Sequence, residues 1–115
     1  MHEMAIVCEI VDEVRGIAKD KKLVRVRVVE IDVGELKAVV PGIMKDSFEV
    51  LTAGTVAEGS ELAINVIPAQ ARCRICGLAF RPTLQDFLCP DCGKADVLIT
   101  GGNEIIIRSI SGDQT

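Results

Sequence analysis

The sequence predicts an α+β fold: two helices on a small three-stranded sheet, with a cysteine-rich module inserted before the last strand. Three observations lead to it. Two stretches repeat apolar residues at helical spacing, and three stretches alternate β-branched and polar residues. Four of the five cysteines fall in two C-x2-C pairs between the second and third of those alternating stretches.

Residues 4–19 form the first expected helix. Val7, Ile10, Val11, Val14, Ile17 and Ala18 recur on one face, with Glu9, Asp12, Glu13, Arg15 and Lys19 on the other. Gly16 weakens it slightly. Cys8 sits beside Val7 and reads as a small buried apolar residue. "LVRVRVVEIDVGEL" follows as a strand whose phase changes at Val28-Val29, which predicts a bulge or burial on both faces. Pro41 suits the first turn of a second helix, with Ile43, Met44, Phe48 and Leu51 as its apolar stripe and Gly54 as its stop. "ELAINVIP" alternates again, placing Leu62, Ile64 and Val66 on one face, and "EIIIRSI" at 104–110 is the closing strand. The expected division is residues 1–67 plus 104–115 as one domain and 68–103 as a second, inserted one. Apart from the two cysteine pairs, no internal repeat stands out.

A chain of 115 residues, 49% hydrophobic and 26% charged, can bury a core. Its apolar runs fall short of the ~20 residues that span a bilayer. "MHEMAIVCEIVDEV" has no basic start and carries acidic residues, unlike a signal peptide, so a cytoplasmic location is expected. A net charge of −4 and only three aromatic residues, all Phe, argue against a nucleic-acid partner, which would want a basic face and stacking platforms. No membrane partner is expected either.

The cysteines carry the first chemistry. "CRICG" and "CPDCG" give C-x2-C-x12-C-x2-C, with Cys73, Cys76, Cys89 and Cys92 as candidate ligands. Each pair makes a turn that aims two thiolates at one ion, and Gly77 and Gly93 let the backbone reverse. Four thiolates suit tetrahedral Zn(II) in a closed, structural shell without the open position that catalysis needs. The inserted module is therefore read as a zinc ribbon that draws much of its folding free energy from the metal. Iron in a rubredoxin-like site is the competing reading, since "CPDCG" resembles a rubredoxin knuckle. Within 68–103 four basic residues face three acidic ones, formally +1, and four thiolates with Zn(II) add −2, a poor clamp for DNA or RNA.

The only histidine is residue 2. The amine of Met1 and the amide nitrogen of His2 can close a five-membered chelate ring, and the same amide with the imidazole a six-membered one. Such nitrogen-rich, planar donation suits Ni(II) or Cu(II). It requires a free amine and a retained Met1, which the bulky second residue favours. Glu3 has two readings: a carboxylate that orients the imidazole, or a favourable charge at the first turn of the helix.

Met1-His2-Glu3, the helix after it, "VGEL" at 33–36, "AGTVAEGSEL" at 53–62 and the paired "CRICG…CPDCG" together resemble the HypA/HybF family of hydrogenase-maturation nickel metallochaperones, over essentially the whole chain and in the family's order. The resemblance implies a nickel-binding α/β domain with a zinc ribbon inserted near its C-terminal end. It implies nickel at His2 with neighbouring backbone nitrogens, and structural zinc at Cys73, Cys76, Cys89 and Cys92. It further implies delivery of Ni(II) to the [NiFe]-hydrogenase large subunit with the partner GTPase HypB, and in some organisms a role in urease maturation. A homodimer is left open. The ribbon has no histidine, unlike that of some relatives.

The alternatives are a zinc-ribbon adaptor and a rubredoxin-like electron carrier, in both of which His2 is incidental. An enzyme is the weakest reading. One terminal histidine supports no Ser/His/Asp set, and "TGGNE" lacks the lysine and hydroxyl residue of a phosphate-binding loop.

Overall fold

The structure is a computed structural model that describes residues 3–83 and 86–114. Helix α1 spans Glu3–Asp20 and strand β1 Leu23–Gly34, followed by a single 3-10 turn, Glu35–Lys37. Helix α2 spans Pro41–Thr52. The remaining strands are β2 (Glu61–Ile67), β3 (Gln70–Cys73), β4 (Ala79–Phe80), β5 (Val97–Gly101) and β6 (Ile105–Gln114). One three-stranded sheet has the order β2-β1-β6 and the other β4-β3-β5. The fold is the expected α+β arrangement of two helices and a three-stranded sheet, closed by the last strand.

The chain divides into two compact units: residues 1–31, 39–65 and 107–115, and residues 32–38 with 66–106. In the first, α1 packs against α2. Val7, Ile10, Val11, Val14 and Ala18 of α1 are buried, as the helical period requires. Val26, Val29 and Ile31 of β1, Met44 and Phe48 of α2, Ala57 and Leu62 are buried as well. Each large side chain of this set stabilises the fold by about 1.5–3 kcal/mol through burial.

In α2 the buried face is Met44, Ser47, Phe48 and Thr52, while Ile43 is half exposed. Ile43 stands one residue, and so about 100°, away from Met44 around the helix. Thr52 is tolerated inside because its hydroxyl donates to the Phe48 carbonyl at 2.7 Å. Ala53 ends the helix, and Gly54 (φ +78°) turns the chain away. The loop after it is tightly bonded: Gly54 N–H donates to Glu58 Oε1 at 2.7 Å, and Val26 N–H to Val56 O at 2.9 Å.

β1 changes phase as its sequence suggests. Val26 and then Val29 are buried, and Ile31, Asp32, Val33 and Gly34 are buried in succession, the mark of a strand covered on both faces. β6 runs antiparallel to β1: Gly34 N–H donates to Glu104 O, and further along Arg27 grips Asp113 through Nε and an Nη at 2.8–3.1 Å. β6 continues four residues past the expected Ile110. A side chain at Gly112 would strike the Arg25 carbonyl, so this glycine belongs to the strand rather than to a turn. In β2 only Leu62 is fully buried, and Val66 is exposed.

In the second unit β3 pairs antiparallel with β4 (Ala71 opposite Phe80) and with β5 (Cys73 opposite Val97). This sheet is not anticipated by the sequence pattern, because its strands are two to five residues long.

Candidate metal centres

The two cysteine knuckles are built by the same pair of hydrogen bonds. In the first, Gly77 N–H donates to Cys73 O at 3.0 Å and Cys73 N–H to Leu78 O at 2.9 Å. In the second, Gly93 N–H donates to Cys89 O and Cys89 N–H to Lys94 O, both at 2.9 Å. Gly77 (φ +80°) and Gly93 (φ +71°) hold the left-handed conformation that closes each turn, where a Cβ would be strained. β3 delivers Cys73 at its end, so the first knuckle hangs directly from the small sheet.

The ligand sulfurs of Cys73, Cys76, Cys89 and Cys92 all lie within 4.8 Å of one another. Across the knuckles, Cys73 Sγ is 3.6 Å from Cys92 Sγ, and Cys76 Sγ is 3.5 Å from Cys89 Sγ. A tetrahedron with Zn–S bonds of 2.3 Å has edges of about 3.8 Å, so the cluster is close to the size that a zinc ion requires. Cys73 and Cys89 are buried and Cys76 is exposed.

The electrostatics of the thiols favour a cation. Backbone N–H groups of Cys76 and Ile75 point at Cys73 Sγ and, against the cost of burial, bring it down to about 7. Cys76 accepts from Leu78 N–H, yet the neighbouring Cys89 and Cys73 sulfurs and burial push it up to about 12. Cys92 is also raised: Lys94 N–H favours its thiolate, but burial, Cys73 and Cys89 outweigh that. Four sulfurs this close do not all ionise unaided, and a dication in their midst removes that obstacle. The site is compatible with a metal such as zinc.

The second set of candidate ligands is at the chain start. Met1 and His2 lie outside the described residues. Glu3 opens α1, and its carboxylate Oε2 accepts a hydrogen bond from the Val40 backbone N–H at 3.0 Å. That partner is a backbone group, which the residue pattern does not show. Cys8, read from the sequence as buried, is exposed. It follows Val7 and so points about 100° away from the buried stripe.

Glu35, in "VGEL", has a role that residue pattern did not reveal. Its Oε1 accepts from Ala69 N–H at 2.9 Å and lies 3.5 Å from an Arg81 Nη. Close backbone contact surrounds it. A Cβ on Gly34 would strike the Gly102 carbonyl, and one on Gly102 (φ +77°) would meet Ala69 and Pro68 O. Leu36 N–H donates to Gly102 O at 2.9 Å. No helix among the described residues is long and apolar enough to cross a membrane.

A small α+β protein carrying a four-thiolate ribbon is, as a class, a metal-binding protein with a closed sulfur site. Residues 1–112 match the family model described as hydrogenase/urease nickel incorporation, metallochaperone, hypA. The chain belongs to the HypA family. It is 38% identical over 111 residues to the hydrogenase maturation factor HypA of Chlorobium limicola, covering 96% of each chain. It is also 38% identical over 112 residues to the factor of the same name from Streptomyces avermitilis, covering 96% of this chain and 86% of that one. Among solved structures it is similar in fold to the Ni metallochaperone HypA of Helicobacter pylori, with a TM-score of 0.73, 24% identity and full coverage of both chains. A second HypA solution structure gives a TM-score of 0.71 at 25% identity, covering 97% of this chain and 96% of that one.

Proposed function

We propose that this protein carries Ni(II) at its N-terminus and delivers it for maturation of [NiFe]-hydrogenase, or of urease where the organism makes one, while a Zn(II) held by Cys73, Cys76, Cys89 and Cys92 shapes the ribbon. The Met1 amine, the His2 amide nitrogen and the His2 imidazole are the nickel donors, with Glu3 contributing through its backbone or by positioning the others. The observation that carries the reading is the four-sulfur cluster in a chain matched to a nickel-incorporation family from residue 1 onward.

The chemistry of the donors supports a carrier. A site at a chain end is assembled and dismantled with little rearrangement, so it can pass its ion to a recipient. Affinity alone does not select nickel, because Cu(II) binds such nitrogen donors more tightly, so selectivity rests on partners and metal supply. The partners that fit are the GTPase HypB and the hydrogenase large subunit, met in the cytoplasm. The protein is a carrier and catalyses no reaction itself.

The test is a nickel hand-over assay with the tag-free protein. Nickel-loaded protein should lose its ion to a competing chelator faster than zinc leaves the ribbon. Nickel held as tightly and as slowly as the zinc would contradict a carrier.

A further inference from the structure

Strand β6 ends the sheet of order β2-β1-β6, and among the described residues no strand lies along its outer edge. An open edge offers a row of backbone N–H and C=O groups to any extended chain that reaches it. A groove of about 560 Å³ follows this strand, lined by residues 107–112 and 114 of β6, Ile17 of α1, Lys21 and Leu23. All of these belong to the first compact unit. Successive residues of a strand point to opposite faces, so a groove lined by an unbroken run of them opens along the strand's side rather than over one face. β1 contributes only its first residue, Leu23, which puts the groove on the side away from β1. Ile17, Leu23, Ile107 and Ile110 give it a half-buried apolar lining. Lys21 and Arg108 add two cations and no carboxylate lines it, in a chain whose formal net charge is −4. The strand is held firmly at this end. Arg27 of β1 grips Asp113, and the Gln114 side-chain amide donates to the Lys21 carbonyl at 3.0 Å.

We propose that the outer edge of β6 is a docking site for an extended segment of a partner protein that alternates apolar and acidic residues and pairs with β6 as a further strand. The proposal does not depend on where nickel binds. In this mode of recognition backbone pairing supplies affinity and alternate side chains supply selectivity. The edge from Ile107 to Gly112 is about 20 Å long at a strand's rise per residue, which leaves room for a short strand. Apolar side chains of the segment cover Ile17, Leu23 and the isoleucines of β6, and its carboxylates meet Lys21 and Arg108. An edge already fixed by Arg27 and Gln114 needs little further ordering to accept it. The same charges disfavour a second copy of this chain as the occupant. Between Ile105 and Gly112 the strand carries Arg108 and no carboxylate, so self-pairing would bring cations onto cations.

The experiment follows the backbone amides of the full chain by NMR as short capped peptides are added. One peptide alternates valine and glutamate, a second alternates valine and lysine, and a third is the first with its backbone nitrogens methylated. The valine–glutamate peptide should shift the amides of residues 107–111 and slow their hydrogen exchange, and should bind about tenfold more tightly than the lysine peptide. The methylated peptide has no N–H to give to a ladder and should leave those amides unmoved. Lys21→Glu should weaken the valine–glutamate peptide about tenfold and strengthen the lysine peptide, with a thermal melt showing that the variant is folded. Equal binding of the glutamate and lysine peptides would overturn the proposed occupant. Amides of β6 that stay unmoved at millimolar valine–glutamate peptide, or that move as far with the methylated one, would overturn strand pairing. Self-association through the same amides, growing with protein concentration when no peptide is present, would give the edge to a second copy and overturn the proposal as well.

Discussion

The Glu35 carboxylate accepts a hydrogen bond from the backbone N–H of Ala69 at 2.9 Å. The contact joins the turn after β1 to the residue just before β3, within the unit that carries the cysteines. The Ala69 N–H holds the Glu35 carboxyl below its ordinary 4.5, against a smaller opposing effect of burial, and Arg81 adds to the lowering.

A lowered carboxyl stabilises the fold when ionised. The contribution is therefore complete above the unfolded value of 4.5 and is lost as the pH falls through the lower folded value. Glu35→Gln should melt at a lower temperature than wild type at pH 7, and the gap should narrow as the pH is brought below 4. A gap that stays constant in thermal melts across that range would mean the charge of Glu35 contributes nothing.

Gly102 packs its α-carbon against Ala69 and Pro68 O at a φ of +77°. Gly102→Ala adds a methyl group where backbone already stands, and should cost about 1–3 kcal/mol of stability. Gly16→Ala is the control, since a Cβ there meets nothing within 4 Å. Gly16 is inside α1, so that variant should be neutral or more stable by up to about 1 kcal/mol. Chemical denaturation of the two variants side by side checks the contrast.

Among the described residues, the second unit buries few apolar side chains: Val33, Ala69, Ala71 and the two buried cysteines. Its order should depend on the metal. Cys89→Ser, or chelation, should abolish zinc binding and remove amide protection from β3 and β5, while α1 keeps its own. Acidification should release the metal as protons compete for the thiolates. Persistent protection of β3 and β5 in metal-free protein would show that the small sheet folds unaided.

Phe48, on the buried face of α2, is among the largest fully buried side chains. Phe48→Ala should cost about 3–5 kcal/mol and leave the zinc content at its wild-type level. Co-loss of zinc in the folded variant, read by elemental analysis, would contradict separate cores.

Much of this was legible in the sequence, for identifiable reasons. The α1 stripe of Val7, Ile10, Val11 and Val14 repeats cleanly, and the valine phase change in β1 announced either a bulge or burial on both faces, of which the strand shows the second. The C-x2-C spacing and the following glycines described the knuckles, because a tight turn leaves little conformational choice. What escaped depends on contacts far apart in the chain. Arg27 and Asp113 meet across 86 residues, which no local pattern shows, and Ile43 reads as core although the helix rolls Ser47 and Thr52 inward. β3 and β4 are too short for any periodicity. Glu35 and Glu3 both act on backbone N–H groups, of Ala69 and Val40, which leave no mark on residue pattern.

The central claim is that nickel binds at the chain start, separately from the four-cysteine site. Nickel titration of tag-free protein with its native N-terminus, alongside His2→Ala, tests it most directly. The account predicts nickel uptake by the native protein, its loss in the variant, and the same zinc content in both. Undiminished nickel affinity in His2→Ala would contradict it.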